Sequence, residues 1–278
     1  MSVKIVLDAG HTGKYWNRGA ISSYYESAVM WEYHKELGAA LEQKGFKVSY
    51  TRATINTEMD VTVRGKKAKG ADLLLSCHSN STDNNTTRRA VGIYQAADSQ
   101  GVWDTESKAL ANKLTAVIAD VMGVTWNTYS KLSSNDRDGD GKKDDNYYGV
   151  LHGARMVKVP AVILEHSFHS NPETCKWLLN ASNRAKMAKA VANTLAEHYG
   201  LVAEKLPTKE IETFKSYSAT IKPLNGLNVR KGAGTSYKKL GALKYKAKIT
   251  ILEEKNGWGR IDYKGSTGWV SLQYIKKK

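Results

Sequence analysis

Cysteine and proline are scarce: two and four residues among 278. Two cysteines, Cys77 and Cys175, cannot make a disulfide framework, and the expectation is a pair of reduced, largely buried thiols. Cys77 keeps a second reading, as a thiol nucleophile, because it abuts His78. The low proline count and 41% hydrophobic residues exclude a disordered or collagen-like chain. Long apolar runs are missing too. Stretches such as residues 160–164 and 73–75 fall far short of the ~20 residues that cross a bilayer. The first residues, Met-Ser-Val-Lys-Ile-Val-Leu-Asp-Ala-Gly-His, lack the layout of a signal peptide, which predicts synthesis in the cytoplasm without an export signal.

Negative charge is nearly absent from one end. Residues 213–278 carry fifteen Lys and Arg against Glu253, Glu254 and Asp262, which accounts for +12 of the formal charge of +15. Such a tail attracts polyanions.

The rest of the chain alternates strand-like and helix-like segments. The β-branched run 3–7 predicts a buried strand that stops at Asp8-Ala-Gly-His11. Residues 26–44 carry Val29, Tyr33, Leu37, Ala40 and Leu41 at helical spacing, with Gly45 as the stop and a strand at 46–51. The run 71–76 delivers Cys77-His78-Ser79-Asn80, and 161–164 delivers Glu165. Helical periodicity recurs at 105–121 and 182–199. This pattern predicts an α/β domain over residues 1–200, an open mixed sheet flanked by helices. A polar linker is expected at 201–212. Short strands at 219–221, 227–230, 247–252, 259–263 and 268–270 then predict a small all-β unit over 213–278.

In open α/β sheets ligands bind beyond the carboxyl ends of the strands, so His11, His78 and Glu165 are expected to converge. A catalytic zinc takes three ligands from His, Asp and Glu and leaves one position for water. His11, Glu26 and His78 supply such a set, although their spacing has none of the compactness of His-Glu-x-x-His. Glu32 competes with Glu26 for the third place. The glycines around His11 suit a backbone passing close to a ligand, and a carboxylate after a buried strand costs free energy unless paired or functional.

These segments carry a resemblance. Asp8-Ala-Gly-His11, the Glu26 helix ending in Lys44-Gly-Phe-Lys-Val48, Thr51-Arg52, Arg64, Ser76-Cys-His-Ser-Asn80 and Pro160-Ala-Val-Ile-Leu-Glu165 resemble the zinc N-acetylmuramoyl-L-alanine amidases of the amidase_3 type over roughly residues 2–199. The resemblance implies zinc on His11, Glu26 and His78, and Glu165 as the catalytic acid or base. The bond cut would join the lactyl group of N-acetylmuramic acid to L-alanine of the peptidoglycan stem peptide. One segment departs: Glu165-His-Ser-Phe-His-Ser-Asn171 has Ser167 where the family has glycine, and adds His166 and His169. His166 and His169 are candidates for contacting substrate or orienting Glu165, and Asn80 for contacting substrate.

Asp136, Asp138 and Asp140, followed by Gly141, match the first ligands of an EF-hand-type loop, with Tyr147 where a bidentate Glu belongs. They make calcium a second candidate ion. The C-terminal unit, with Leu227-Asn-Val-Arg230, Gly257-Trp258 and Gly268-Trp269, resembles the bacterial SH3 (SH3b) domain, which implies a barrel that binds the cell wall. Trp258 and Trp269 are its candidate binding faces. Peptidoglycan and anionic wall polymers are the expected partners. Nucleic acid is set aside, since a module joined to an amidase gains nothing from it. The whole resembles a phage endolysin, held in the cytoplasm and acting on the wall after release.

Overall fold

The computed structural model describes residues 2–96, 103–201 and 216–277. The chain divides into two compact units, residues 1–203 and 204–278. The expected linker at 201–212 lies almost wholly outside the described residues.

The first unit contains, in chain order, β1 (Lys4–Ala9), α1 (Glu26–Glu42), β2 (Lys47–Tyr50), α2 (Val61–Lys66), β3 (Leu73–Asn80), β4 (Arg89–Tyr94), α3 (Trp103–Met122), β5 (Thr125–Tyr129), α4 (Gly149–Met156), β6 (Ala161–Phe168), α5 (Pro172–Leu179) and α6 (Ala181–His198). Its strands form one six-stranded sheet in the order β2-β1-β3-β6-β4-β5. β2, β1, β3 and β6 are parallel, and β4 runs antiparallel to β6. The expected open mixed sheet is therefore present.

Side-chain alternation sorts the sheet into two faces. Ile5, Leu7, Leu73, Leu75, Cys77, Val162 and Leu164 pack with α1, α3 and α6 in the larger core. Leu37 and Leu41 of α1 are fully buried there, and burying a leucine contributes about 1.5–3 kcal/mol. Val6, Leu74, Ile163 and Phe168 pack with Val150, Leu151 and Ala154 of α4 on the other face. By the same alternation Asp8, Ser76, His78 and Glu165 belong to this second face.

The sheet extends further than the apolar runs. β3 continues to Asn80 and β6 to Phe168, so His78 and Glu165 lie inside strands, not after them. Ladder hydrogen bonds satisfy the backbone whichever side chain follows. Across β3 and β6, His78 and Glu165 are partners in register.

α2 and α4 cross at two glycines. A Cβ at Gly65 would lie 2.2 Å from the Val150 carbonyl oxygen, and one at Gly153 would lie 2.0 Å from that of Thr62. Only glycine allows the helix backbones to approach this closely. Asp60 caps α2 by accepting from the amides of Thr62 and Val63.

The second unit holds β7 (Tyr217–Ile221), β8 (Leu227–Arg230), β9 (Lys239–Leu243), β10 (Lys248–Ile251), β11 (Glu253–Lys255), β12 (Trp258–Tyr263), β13 (Ser266–Ser271) and β14 (Ile275–Lys277). They form a three-stranded sheet, β10-β7-β14, and a five-stranded one, β11-β12-β13-β8-β9. Ala219, Ile221, Val229, Ile251, Ile261 and Val270 fill the core between them.

Candidate metal centre and active site

The N-terminus of α1 has no side-chain cap of its own. The preceding loop tethers it through the backbone instead, with the amide of Glu26 donating to the Asn17 carbonyl at 2.9 Å. This contact fixes the first residue of the helix, Glu26, under the ends of β1 and β3. Glu26 is buried. Its Oε1 accepts from the amide of Ser79 (3.0 Å), and its Oε2 accepts from Asn17 Nδ2 (2.8 Å).

Two histidines close on the same carboxylate. His11 Nε2 lies 3.2 Å from Glu26 Oε2, and His78 Nδ1 lies 3.0 Å from Oε1. One ligand atom from each of the three residues falls within 4.8 Å of the other two. Glu32, the rival, points away: it is exposed and pairs with Lys35 at 2.9 Å. The site also needs Gly10, because a Cβ there would lie 2.4 Å from Nδ1 and Cε1 of His78.

Electrostatics reinforces the arrangement. Burial works to raise the pKa of Glu26, but hydrogen bonds and charge from His11 and His78 outweigh it and hold the carboxyl well below the usual range. Burial works to lower the pKa of His78, yet Glu26 carries it up to about 8. A buried carboxylate that draws two imidazoles around it has the donor set and charge to suit a divalent transition metal. The residues fit such an ion.

Glu165 sits on the strand next to His78. Its Oε2 is sealed from solvent and has no hydrogen-bond partner among the described residues. Loss of water pushes its pKa up to about 7, with His78 opposing and Glu26 reinforcing the shift. A carboxyl poised there can give and take protons at neutral pH.

The Glu165-to-Asn171 segment accounts for its departures. Ser167 has φ +66, the left-handed region where glycine is at home, and its hydroxyl lies 3.1 Å from that of Thr174. His169 reaches behind Glu26: its Nδ1 lies 3.0 Å from Ser79 Oγ and 3.9 Å from Glu26 Oε2, and Ser79 Oγ is 2.7 Å from the Tyr24 hydroxyl. The Tyr24-Ser79-His169 chain thus backs the carboxylate. The expectation that His166 touches substrate is corrected. Strand alternation turns it away from Glu165 into the larger core, where it is fully buried against Tyr33 and its Nδ1 donates to the His78 carbonyl at 2.9 Å. Asn80 is partly exposed at the end of β3, where its Oδ1 accepts from the Ser81 amide.

The acidic loop is rearranged relative to expectation. The carboxylates that meet are Asp136, Asp138 and Asp145, and Asp140 is not among them. Asp140 turns back to accept from the amide of Lys142, while the buried Asp145 accepts from the amides of Arg137 and Asp138. A cation is already present: Arg155 Nη1 lies 3.0 Å from both Asp138 and Asp145.

In the second unit Trp258 is half-buried, whereas Trp269 is only 9% exposed and sits between Arg260 and Arg230 in the sheet. Trp269 alternates with the core residue Val270, so it lies on the opposite face of the sheet, covered there and not open. The open rings among the described residues of this unit are Tyr237, Tyr245 and Tyr274.

Sequence reasoning missed Asn17, Ser79, Arg137 and Asp145. Asn17 carries a signal in its positive φ of 53, but that value exists only in the folded chain.

A six-stranded α/β unit with a two-histidine, one-carboxylate cluster beside a buried glutamate defines the class: a candidate metallohydrolase joined to a small β unit. Residues 5–197 match the family described as N-acetylmuramoyl-L-alanine amidase (Amidase_3), and the chain belongs to that family. Residues 225–276 match the bacterial SH3 domain. LytH of Staphylococcus aureus, named a probable cell wall amidase, is 29% identical over 199 residues, covering 70% of this chain and 58% of its own length. YrvJ of Bacillus subtilis is 32% identical over 80 residues, 27% of this chain and 15% of that protein. The chain thus spans little more than half of one of these relatives and a small part of the other. The catalytic domain of CwlV from Bacillus (Paenibacillus) polymyxa var. colistinus shares the fold, with a TM-score of 0.57 and 23% identity over 72% of this chain and 99% of that one.

Proposed function

We propose that this chain is a zinc-dependent peptidoglycan amidase, cutting between the lactyl group of N-acetylmuramic acid and L-alanine of the stem peptide. One observation carries the reading: His11, Glu26 and His78 converge to within 4.8 Å beside Glu165, in a chain of this family. Zinc held by these three residues would polarise the scissile carbonyl and acidify the attacking water. Glu165 takes the proton from that water and passes it to the departing amine, a task suited to a carboxyl with a pKa of about 7. Asn17, Ser79 and His169 keep the Glu26 carboxylate facing the two histidines.

The second unit targets the enzyme to the wall. Its lysines attract anionic wall polymers, and its exposed tyrosines offer stacking faces. The reading with Cys77 as nucleophile finds no support: the thiol is fully buried on the sheet face opposite His78, and burial pushes its pKa up.

The test is digestion of purified peptidoglycan with and without a chelator, followed by mass spectrometry for new N-terminal alanine. New alanine termini that vanish with the chelator and return with zinc are expected. Cleavage that survives the chelator and stops with a thiol alkylator would overturn the reading, as would undamaged walls. Glu165→Gln should lower the rate by about 100-fold or more while keeping zinc.

A further inference from the structure

A cleft of about 530 Å³ takes in the metal centre, and His11, His78, Asn135, Arg137, Tyr147 and Tyr148 are among the residues that line it. Two arginines border it, and they differ in state. Arg64 is buried and engaged: its Nη1 lies 3.4 Å from both oxygens of Asp8 and donates to the Ala9 carbonyl at 3.1 Å. Arg137 is exposed and, among the described residues, has no carboxylate within ion-pair distance. Asp60, already engaged with the amides of α2, feels the charge of Arg137 without pairing with it.

Arg137 is nonetheless held in place. Its Nη1 donates to the carbonyls of Asn146 (2.8 Å) and Tyr147 (2.9 Å), and its backbone amide donates to the buried Asp145. Both Nη1 hydrogens are thus engaged. An arginine has five N–H donors, so the Nε and Nη2 edge stays available, and that edge matches a carboxylate bidentately. A fixed cation with a free fork, bordering a cleft that also holds the metal ligands, is a recognition group in search of an anion.

We propose that Arg137 is a specificity-determining residue that grips a carboxylate on the peptide side of the substrate. The proposal rests on the amidase reading. That carboxylate belongs either to a residue within the peptide or to its free end, and the chemistry at Arg137 is the same for both.

Synthetic N-acetylmuramoyl peptides distinguish the sources, one pair differing in a free or amidated internal carboxylate and a second pair in a free or amidated terminus. Wild type should prefer the free form of one pair by about 10-fold or more in kcat/KM. Arg137→Gln should bring that ratio near one, and Arg137→Lys, which keeps the charge and loses the fork, should fall between. Because each ratio comes from a single preparation, the folded fraction cancels. Equal turnover of both forms by wild type overturns the proposal, as does a preference that survives in Arg137→Gln. A merely structural role lowers both rates alike and leaves the ratio, and that result also overturns it. Calorimetric binding of the same peptides to Glu165→Gln, and to that variant with Arg137→Gln added, reads the preference without turnover. A binding preference that Arg137→Gln removes, with no turnover by wild type, sinks the amidase reading and spares the arginine. Turnover without preference does the reverse.

Discussion

Gly10→Ala isolates the metal centre from the rest of the fold. The added Cβ would sit 2.4 Å from Cε1 and Nδ1 of His78 and 2.8 Å from Nε2, whereas carbon atoms rest about 3.5–4.0 Å apart. The imidazole must therefore retreat by about 1 Å or more, well beyond the ~0.2 Å tolerance of metal–ligand distances. The three atoms nearest to the added Cβ all belong to this ring. Gly10 has an ordinary φ, and the His78 side chain keeps 19% of its surface open to solvent, so the ring can swing outward. Overpacking that the ring relieves should cost at the low end of the usual range, about 1 kcal/mol. Loss of supporting contacts around a ligand weakens metal sites about 10–100-fold, and displacing the ligand itself should reach the upper figure at least. Competition with a chromophoric zinc chelator measures the affinity, and urea unfolding measures the stability. Zinc affinity within threefold of wild type in a folded Gly10→Ala protein would refute the assignment of His78.

Asp8→Ala should destabilise the first unit by about 3–5 kcal/mol in urea unfolding, because it removes the acceptor for Thr51 and Ser76 and leaves the buried Arg64 unpaired; a loss under 1 kcal/mol contradicts this. Burial lowers the pKa of His34 to about 4, opposed mainly by its bond to the Trp31 carbonyl, so as pH falls below 6.5 the unfolded chain takes up the proton first. Its contribution is present above pH 6.5 and fades as pH falls through 4, amounting to about 2 kcal/mol between pH 7 and 5. His34→Gln should flatten the pH dependence of stability by that amount, and equal slopes would count against it. Iodoacetamide should leave Cys77 unmodified in the native protein and label it in denaturant, as read by intact-mass spectrometry; native labelling with loss of activity would revive the thiol reading.

The legible parts of the fold were those where one signal dominated. β1, β3 and β6 announced themselves as apolar runs because parallel strands are buried on both faces, and α1 through its repeat of Val29, Tyr33, Leu37 and Leu41. Their polar extensions look like loops in sequence, since a ladder hydrogen bond leaves no trace in hydrophobicity. α2 and α4 were missed because the glycines that let them touch are poor helix formers. At the centre, Glu26 and Glu32 were indistinguishable by composition. The loop contact from Asn17 to the start of α1 separates them, and it is a tertiary event. The same holds for Asp140 and Asp145: the linear motif favours the first, but burial against Arg155 selects the second.

The glycine crossing of α2 and α4 divides the cleft into parts that can change and parts that cannot. Val61 and Arg64 on one helix and Gly149 and Val150 on the other line the cleft, and they are held by the backbone contacts of Gly65 with Val150 and of Gly153 with Thr62 and by the Val61 side chain against Gly149. Variation in what the enzyme accepts then falls to the loop that carries Asn135, Arg137 and Tyr147, which hangs on a few hydrogen bonds to Asp145 and Arg155. For an engineer seeking a new wall chemistry, residues 131–144 are the part to rewrite, and the two helices with the buried Asp145 and Asn146 are the part to leave alone.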